Sequence, residues 1–249
     1  MNIELVILFF IIAAIYASAG FGGGSSYLAA MAVFGLAMET LRPTALLCNI
    51  VVVAGGSWLF WKKGFLDLRK IIFICLASVP MAFLGGLTPL KEKTFFILLG
   101  SSLVISAILM IFQKTNTHED SVSVIKNPDW LPPALGGGIG YLSGVVGIGG
   151  GIFLSPLLHL IRWDTPKRIA ATASFFILVN SIFGLAGQFL SGRFQFDPAL
   201  VFPLVIAVLL GGQLGSRLNV LVFLQTHVRW VTAILVLYAG ANILWKNLG

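Results

Sequence analysis

Two stretches of this chain contain no Asp, Glu, Lys or Arg, and each is too long for one straight crossing of a bilayer. Leu5–Met38 runs for 34 residues between Glu4 and Glu39, and Trp130–Ile161 runs for 32 residues between Asp129 and Arg162. A continuous helix of the second length would measure about 48 Å at about 1.5 Å per residue. A hydrocarbon core is about 30 Å thick. Both runs are interrupted near the middle by glycines, at Ala19-Gly20-Phe21-Gly22-Gly23-Gly24-Ser25-Ser26 and at Gly144-Val145-Val146-Gly147-Ile148-Gly149-Gly150-Gly151. Glycine weakens a helix interior because it loses the most backbone freedom on folding. Each run is therefore expected to form two short helices meeting at a break. Gly20, Gly22, Gly23 and Gly24 align with Gly147, Gly149, Gly150 and Gly151 at an offset of 127. Paired broken segments at matching places in two halves point to a transporter binding site.

The remaining apolar runs fit single spans. Pro43–Trp61, Ile71–Leu90 and Thr94–Gln113 follow the first break, and Ile169–Gly192, Pro198–Ser216 and Val228–Trp245 follow the second. Apolar residues make up 58% of the chain and charged residues only 10%, whereas a soluble domain carries about 25% charged residues. The expected fold is an all-α polytopic membrane protein. It divides into a first transmembrane repeat (1–113), a polar linker (114–129) and a second repeat (130–249). The halves match further: Asn49, Gly56 and Phe65 align with Asn180, Gly187 and Phe196 at an offset of 131, and Gly85-Gly86 with Gly211-Gly212 at 126. Small indels between these blocks mark an old duplication.

Basic residues test the topology. If each broken segment crosses once, the 16 Lys and Arg divide 8 to 8. If each is a re-entrant hairpin, they divide 11 to 5, with the linker inside and both termini outside. The hairpin arrangement leaves three spans per half, and an odd number makes the repeats inverted. Arg42 then lies in an outer loop, and no charge falls at the centre of a span. Ala17-Ser18-Ala19 resembles a signal-peptidase site. The preceding segment carries Glu4 and no Lys or Arg, which argues against cleavage.

The net charge of +7 is scattered between apolar runs, with no basic stripe, so no nucleic-acid partner is expected. Cys48 and Cys75 lie inside apolar runs and read as free thiols. No spacing suits a metal, a cofactor or a hydrolase. Gly136-Gly137-Gly138-Ile139-Gly140 follows no strand and carries no Lys, so it is no nucleotide loop.

A break inside a membrane frees N–H and C=O groups that protein, water or a ligand must satisfy. Helices starting at Ser25 or Ile152 would present bare N–H groups and a positive dipole end to an anion. The candidate ligand set is Gly22, Gly23, Gly24, Ser25, Ser26, Asn49, Gly149, Gly150, Gly151 and Asn180. Asn49 and Asn180, mid-span in each half, could face a substrate or act as interhelical glue. The glycines could likewise serve close packing. Gln188, Gln213, Ser57, Thr44 and Thr172 fit glue better than ligation. His159 could couple transport to protons, but an interfacial role beside Arg162 and Trp163 suits it better. His118 in the linker and His227 at a span edge are weak candidates.

At Gly147-Ile148-Gly149-Gly150-Gly151-Ile152-Phe153-Leu154-Ser155-Pro156 and its echo Gly20–Ser26, the sequence resembles the TauE/SafE sulfite exporter family. The resemblance covers nearly the whole chain. It implies export of sulfite or another small sulfur-containing or organic anion, with Gly22–Ser26 and Gly149–Gly151 as core motif positions. The first half lacks a proline matching Pro156. The expected partners are a small anion and the lipid bilayer, with a homo-oligomer left open. The expected function is a transporter working by alternating access. A passive anion channel, or an assembly or sensor protein that moves nothing, would share these features.

Overall fold

The computed structural model describes residues 3–18, 20–112, 128, 130–192, 194–218 and 222–248. The polar linker, apart from Pro128 and Trp130 at its edge, lies outside the described residues, as do His118 and the side chains of His227 and Arg229. The fold is all-helical. Its elements are α1 (Ile3–Ser18), α2 (Gly24–Val33), α3 (Met38–Lys62), α4 (Leu68–Leu87), α5 (Glu92–Phe112), α6 (Leu131–Val146), α7 (Gly151–Leu160), α8 (Pro166–Leu190), α9 (Pro198–Leu218) and α10 (Val222–Leu248).

Among the described residues, α3, α4, α5, α8 and α9 are long and apolar enough to cross a membrane, and α10 extends over 27 residues. Their outward faces carry Trp58, Phe73, Leu76, Phe202 and Trp245, each more than half exposed. A face of this kind is covered by lipid, with tryptophan settling toward the interfaces. The chain is a multi-pass membrane protein. The short helices α1, α2, α6 and α7 replace the two overlong runs, and they begin one residue earlier than the sequence suggests, at Gly24 and Gly151.

Each broken segment doubles back on itself. Eighteen residues of straight helix would separate Phe9 from Tyr27 by about 27 Å. Their rings instead stack with centroids 4.6 Å apart. Tyr16 Oη and Ser26 Oγ share a hydrogen bond of 2.6 Å across the same turn. In the second half, a methyl group at Gly150, the first residue before α7, would lie 3.0 Å from Ile139 and 3.2 Å from Ser143, both on α6.

The helices pack in matching pairs. α4 lies along α6 and α8, while α9 lies along α1 and α3. α3 packs on α8, α5 on α10, α2 against α10 and α7 against α5. Exchanging α1–α5 with α6–α10 maps this set of contacts onto itself. Small residues make the closest approaches possible. Gly85 faces Tyr141 and Val145 on α6, and Gly211 faces Phe10 and Ala13 on α1. Gly86 abuts α8 at Gln188, and Gly212 abuts α3 at Val52. The alignment of the two Gly-Gly pairs thus has a shared packing cause.

A side chain at Gly144 has no room: its Cβ would sit 2.8 Å from the Ala82 carbonyl carbon and 2.9 Å from Gly86 N. Gly144→Leu should therefore lower stability by about 1–3 kcal/mol through overpacking. Thermal unfolding in detergent checks this, and an unchanged midpoint would contradict the close α4–α6 contact.

Candidate functional site

The two breaks meet in the interior, and α3 runs past both. At the first, the chain closes α1 through Gly20 N to Ala17 O (3.1 Å) and Phe21 N to Tyr16 O (2.9 Å). Gly20 and Gly23 hold φ of +81° and +84°, and α2 then starts without a side-chain cap. At the second, Gly147, Gly149 and Gly150 hold φ of +87°, +84° and +82°, and α7 starts uncapped as well. Left-handed backbone costs a non-glycine residue about 1–2 kcal/mol, which is why glycine recurs here.

The consequence is a set of bare amides. The first main-chain hydrogen bond donated after each break comes from Tyr27 N, to Gly23 O, and from Phe153 N, to Gly150 O. The N–H groups of Gly22–Ser26 and of Ile148–Ile152 donate to no main-chain acceptor among the described residues. Nearly all of these residues are buried. A buried N–H without a partner is rare in a folded protein, since leaving it bare costs about as much as a lost hydrogen bond.

Asn49 joins the two breaks. Its Nδ2 donates to Ile148 O at 2.9 Å, across the repeats. A methyl group at Gly22 would lie 2.5 Å from Asn49 Oδ1, and one at Gly149 would lie 2.8 Å from Nδ2. Gly24 likewise lies directly against this amide and 2.7 Å, measured from its would-be Cβ, from Ile148 O. Asn49 is fully buried and its Oδ1 has no partner. Ser143 Oγ beside Gly150 and Ser181 Oγ beside Gly149 are also buried and without partners. Tyr27 Oη, against Gly23, is a third such hydroxyl, so the unpartnered polar atoms around the breaks are bare amides, one amide oxygen and three hydroxyls.

Asn180 is placed differently from Asn49. Its Nδ2 donates to Phe176 O, one turn back on its own helix, at 2.8 Å. The position in α8 that matches Asn49 is Ile177: Gly22 and Gly24 press on Asn49, and Gly149 and Gly151 press on Ile177. Val53 and Ser181 are matched in the same way. The structural register between α3 and α8 is thus 128, three residues from the offset of 131 that pairs the two asparagines. The asparagine match is a coincidence of type, without equivalence of place. Asn180 Oδ1 is buried and bare.

Of the remaining polar candidates, Ser57 hydrogen-bonds Ser174 at 3.0 Å between α3 and α8, as glue. Gln213 is exposed, whereas Thr44 Oγ1 and Gln188 Nε2 are buried without partners. His159, in the last turn of α7, holds Nδ1 2.8 Å from Ser155 O. Cys48 and Cys75 are free and buried.

Arg42 is the residue that sequence reasoning misplaced. Helix α3 begins at Met38, five residues before Pro43, so Arg42 belongs to the span and is only 6% exposed. Pro43 lies inside the helix, in its second turn, where it removes the bond to Glu39 O. Arg42 Nη2 donates to Gly144 O at 3.1 Å, and its own backbone lies against Gly147. The guanidinium also stands 6.0 Å from the Phe95 ring centroid. Asn49 is two helical turns further along the same face of α3. The signal available was Arg-Pro-Thr opening a span at a place where an ordinary loop would end.

On the far side of α8's start, Lys70 Nζ pairs with buried Asp164 at 2.7 Å and Arg168 approaches the same carboxylate at 3.9 Å. The pair ties the start of α4 to the connection between α7 and α8.

Folded-back half-helices meeting inside a bundle of lipid-facing spans define a membrane transporter. The chain belongs to the sulfite exporter TauE/SafE family, whose pattern it matches over residues 5–243. It is 34% identical over 245 residues to the probable membrane transporter protein y4hK of Sinorhizobium fredii, covering 98% of each chain. It is 31% identical over 110 residues to the probable membrane transporter protein YunE of Bacillus subtilis, covering 44% of this chain and 39% of that one. It is 33% identical over 125 residues to sulfite exporter TauE/SafE family protein 5 of Arabidopsis thaliana, covering 46% of this chain and 27% of that protein.

Replacing Asn49 by Leu removes the donor to Ile148 O and leaves that buried carbonyl bare, at a cost of about 1–3 kcal/mol. The variant should unfold at a lower temperature than wild type in detergent. A midpoint equal to wild type would show that the bridge between the breaks carries no weight.

Proposed function

We propose that this protein exports a small oxyanion, sulfite or a short organosulfonate, across a cytoplasmic membrane by alternating access. The supporting observation is the meeting of two uncapped, buried helix starts whose N–H groups have no main-chain acceptor. An anion satisfies such groups and is favoured by the positive end of each helix dipole. In this reading the amides of Gly22–Ser26 and Gly149–Gly151 hold the oxygens, and Asn49 lies beside the cargo. Asn49 Oδ1 accepts a hydrogen bond, so a protonated oxyanion such as hydrogen sulfite, or a bound water, satisfies it. Asn180 is held to its own helix through Nδ2 and keeps an unpartnered Oδ1. The protein binds and releases its cargo unchanged and acts as no catalyst.

In the same reading the two halves are inverted relative to each other. The hairpin α1–α2 enters from the side of the termini, and α6–α7 enters from the side of the linker. Lys70, Asp164 and Arg168 then sit on the linker side, which carries the larger share of basic residues and so faces the cytoplasm. Neutral donors at the meeting point grip weakly enough for release.

Gly150 tests the site. Its φ is +82°, and an added Cβ would stand 2.9 Å from the Phe176 ring. Gly150→Leu should abolish sulfite efflux from cells while the protein still inserts at wild-type levels. Normal efflux from that variant would refute the assignment. Flux through the wild type that neither saturates nor responds to an ion gradient would favour a passive channel over alternating access.

A further inference from the structure

We infer that Arg42 sets the charge selectivity of the site, making the second break its anion-holding end; this rests on the reading of the breaks as the cargo site. At any break inside a helical hairpin, two opposite poles face each other. The starting helix offers bare N–H groups, and the ending helix offers bare carbonyls that repel an anion. How the ending helix is capped therefore decides the sign of the break.

The two breaks differ in this respect. At the first, α1 ends on neutral donors: Phe21 N and Gly20 N take Tyr16 O and Ala17 O, and Ser18 Oγ takes Ile15 O at 2.7 Å. At the second, Gly147 N takes Ser143 O at 2.7 Å, and the next carbonyl, Gly144 O, is taken by the guanidinium of Arg42. A permanent positive charge thus stands at the carbonyl end of α6, in a buried place where charge is weakly screened. The same side chain lies two turns from Asn49 on α3, and the backbone that carries it presses on Gly147. The matching contact in the other half is made by Ala170, whose Cβ lies 3.4 Å from where a methyl group on Gly20 would stand. One half therefore brings a cation and the other a methyl group.

Ligand chemistry is marked by two unpartnered hydroxyls at the second break against one, Tyr27 Oη beside Gly23, at the first. Ser143 Oγ and Ser181 Oγ, both fully buried and without partners, flank Gly150 and Gly149. They add two hydroxyl donors to the amides of Ile148–Ile152. A tetrahedral or pyramidal oxyanion with one net negative charge suits this set.

The experiment compares an anion with its neutral isostere. Purified protein in detergent is titrated calorimetrically with methanesulfonate, sulfite and uncharged dimethyl sulfone. Wild type should bind both anions. Arg42→Gln should weaken anion binding about 10-fold, as expected for removal of a buried unit charge about 10 Å from the site. It should leave any binding of dimethyl sulfone within about threefold of wild type. An Arg42→Gln protein that keeps wild-type anion affinity overturns the inference, as does one that loses both ligands equally, since that is the pattern of a merely structural cap. If Arg42→Gln cannot be recovered folded, Ala170→Arg decides. A second cation beside Gly20 should tighten methanesulfonate binding at least about threefold, and no change would overturn the inference. Failure of wild type to bind either anion would instead overturn the underlying reading of the breaks.

Discussion

Unpaired main-chain N–H groups in an apolar interior are the constraint on which this architecture depends. A membrane protein hides its backbone polarity inside helices because lipid offers no partner. Here two hairpins expose that polarity at one place, and the surrounding helices enclose it. Glycine makes this possible twice over: the left-handed φ at Gly23, Gly147, Gly149 and Gly150 turns the chain, and the missing Cβ lets Asn49 approach both turns. The cost of bare amides is offset locally by very little, chiefly the Asn49 to Ile148 bond. In the proposed reading, a negative cargo fills what remains unsatisfied.

The scaffold around this point is built for close approach without side-chain interlock. α4 and α9 lean on the opposite repeat through Gly85-Gly86 and Gly211-Gly212. At Gly85, Gly86 and Gly211 these contacts bring backbone against backbone, so an added side chain there would force the helices apart. The firm attachments lie elsewhere, at the Lys70–Asp164 pair and the stacked Phe9–Tyr27 rings.

Much of this was legible in the chain. Uncharged runs set the number of long helices, and the length of the two overlong runs against the bilayer forced a break in each. The folding back of each hairpin was reachable from the basic-residue count, because sidedness depends on how many times the chain crosses. Two features were not legible, for one physical reason. Position along a helix fixes which face a residue occupies only when the helix start is known. The uncharged run began at Pro43, but the helix begins at Met38, and that difference moved Arg42 from an outer loop into the interior. Likewise, identical amides at Asn49 and Asn180 suggested an offset of 131, whereas the glycine contacts impose 128 and set Ile177 opposite Asn49. An amide pattern has no register of its own; packing supplies it.

That shift in register bears on mechanism. In the proposed cycle the halves are inverted and exchange conformations, so that each adopts in one state what the other adopts in the opposite state. With identical halves the two states would have equal free energy. Here Asn49 corresponds to Ile177, Arg42 to Ala170 and Val53 to Ser181. The bond from Asn49 to Ile148 O has no counterpart that Ile177 could make. The state drawn here therefore gains about 1 kcal/mol from a net hydrogen bond that the exchanged state lacks. In the proposed cycle, cargo must bind the exchanged state more tightly by at least that amount to populate it. A ligand that occupies the bare amides and competes with Ile148 for Asn49 would do this directly, so the same residue that bridges the empty site would be released by filling it.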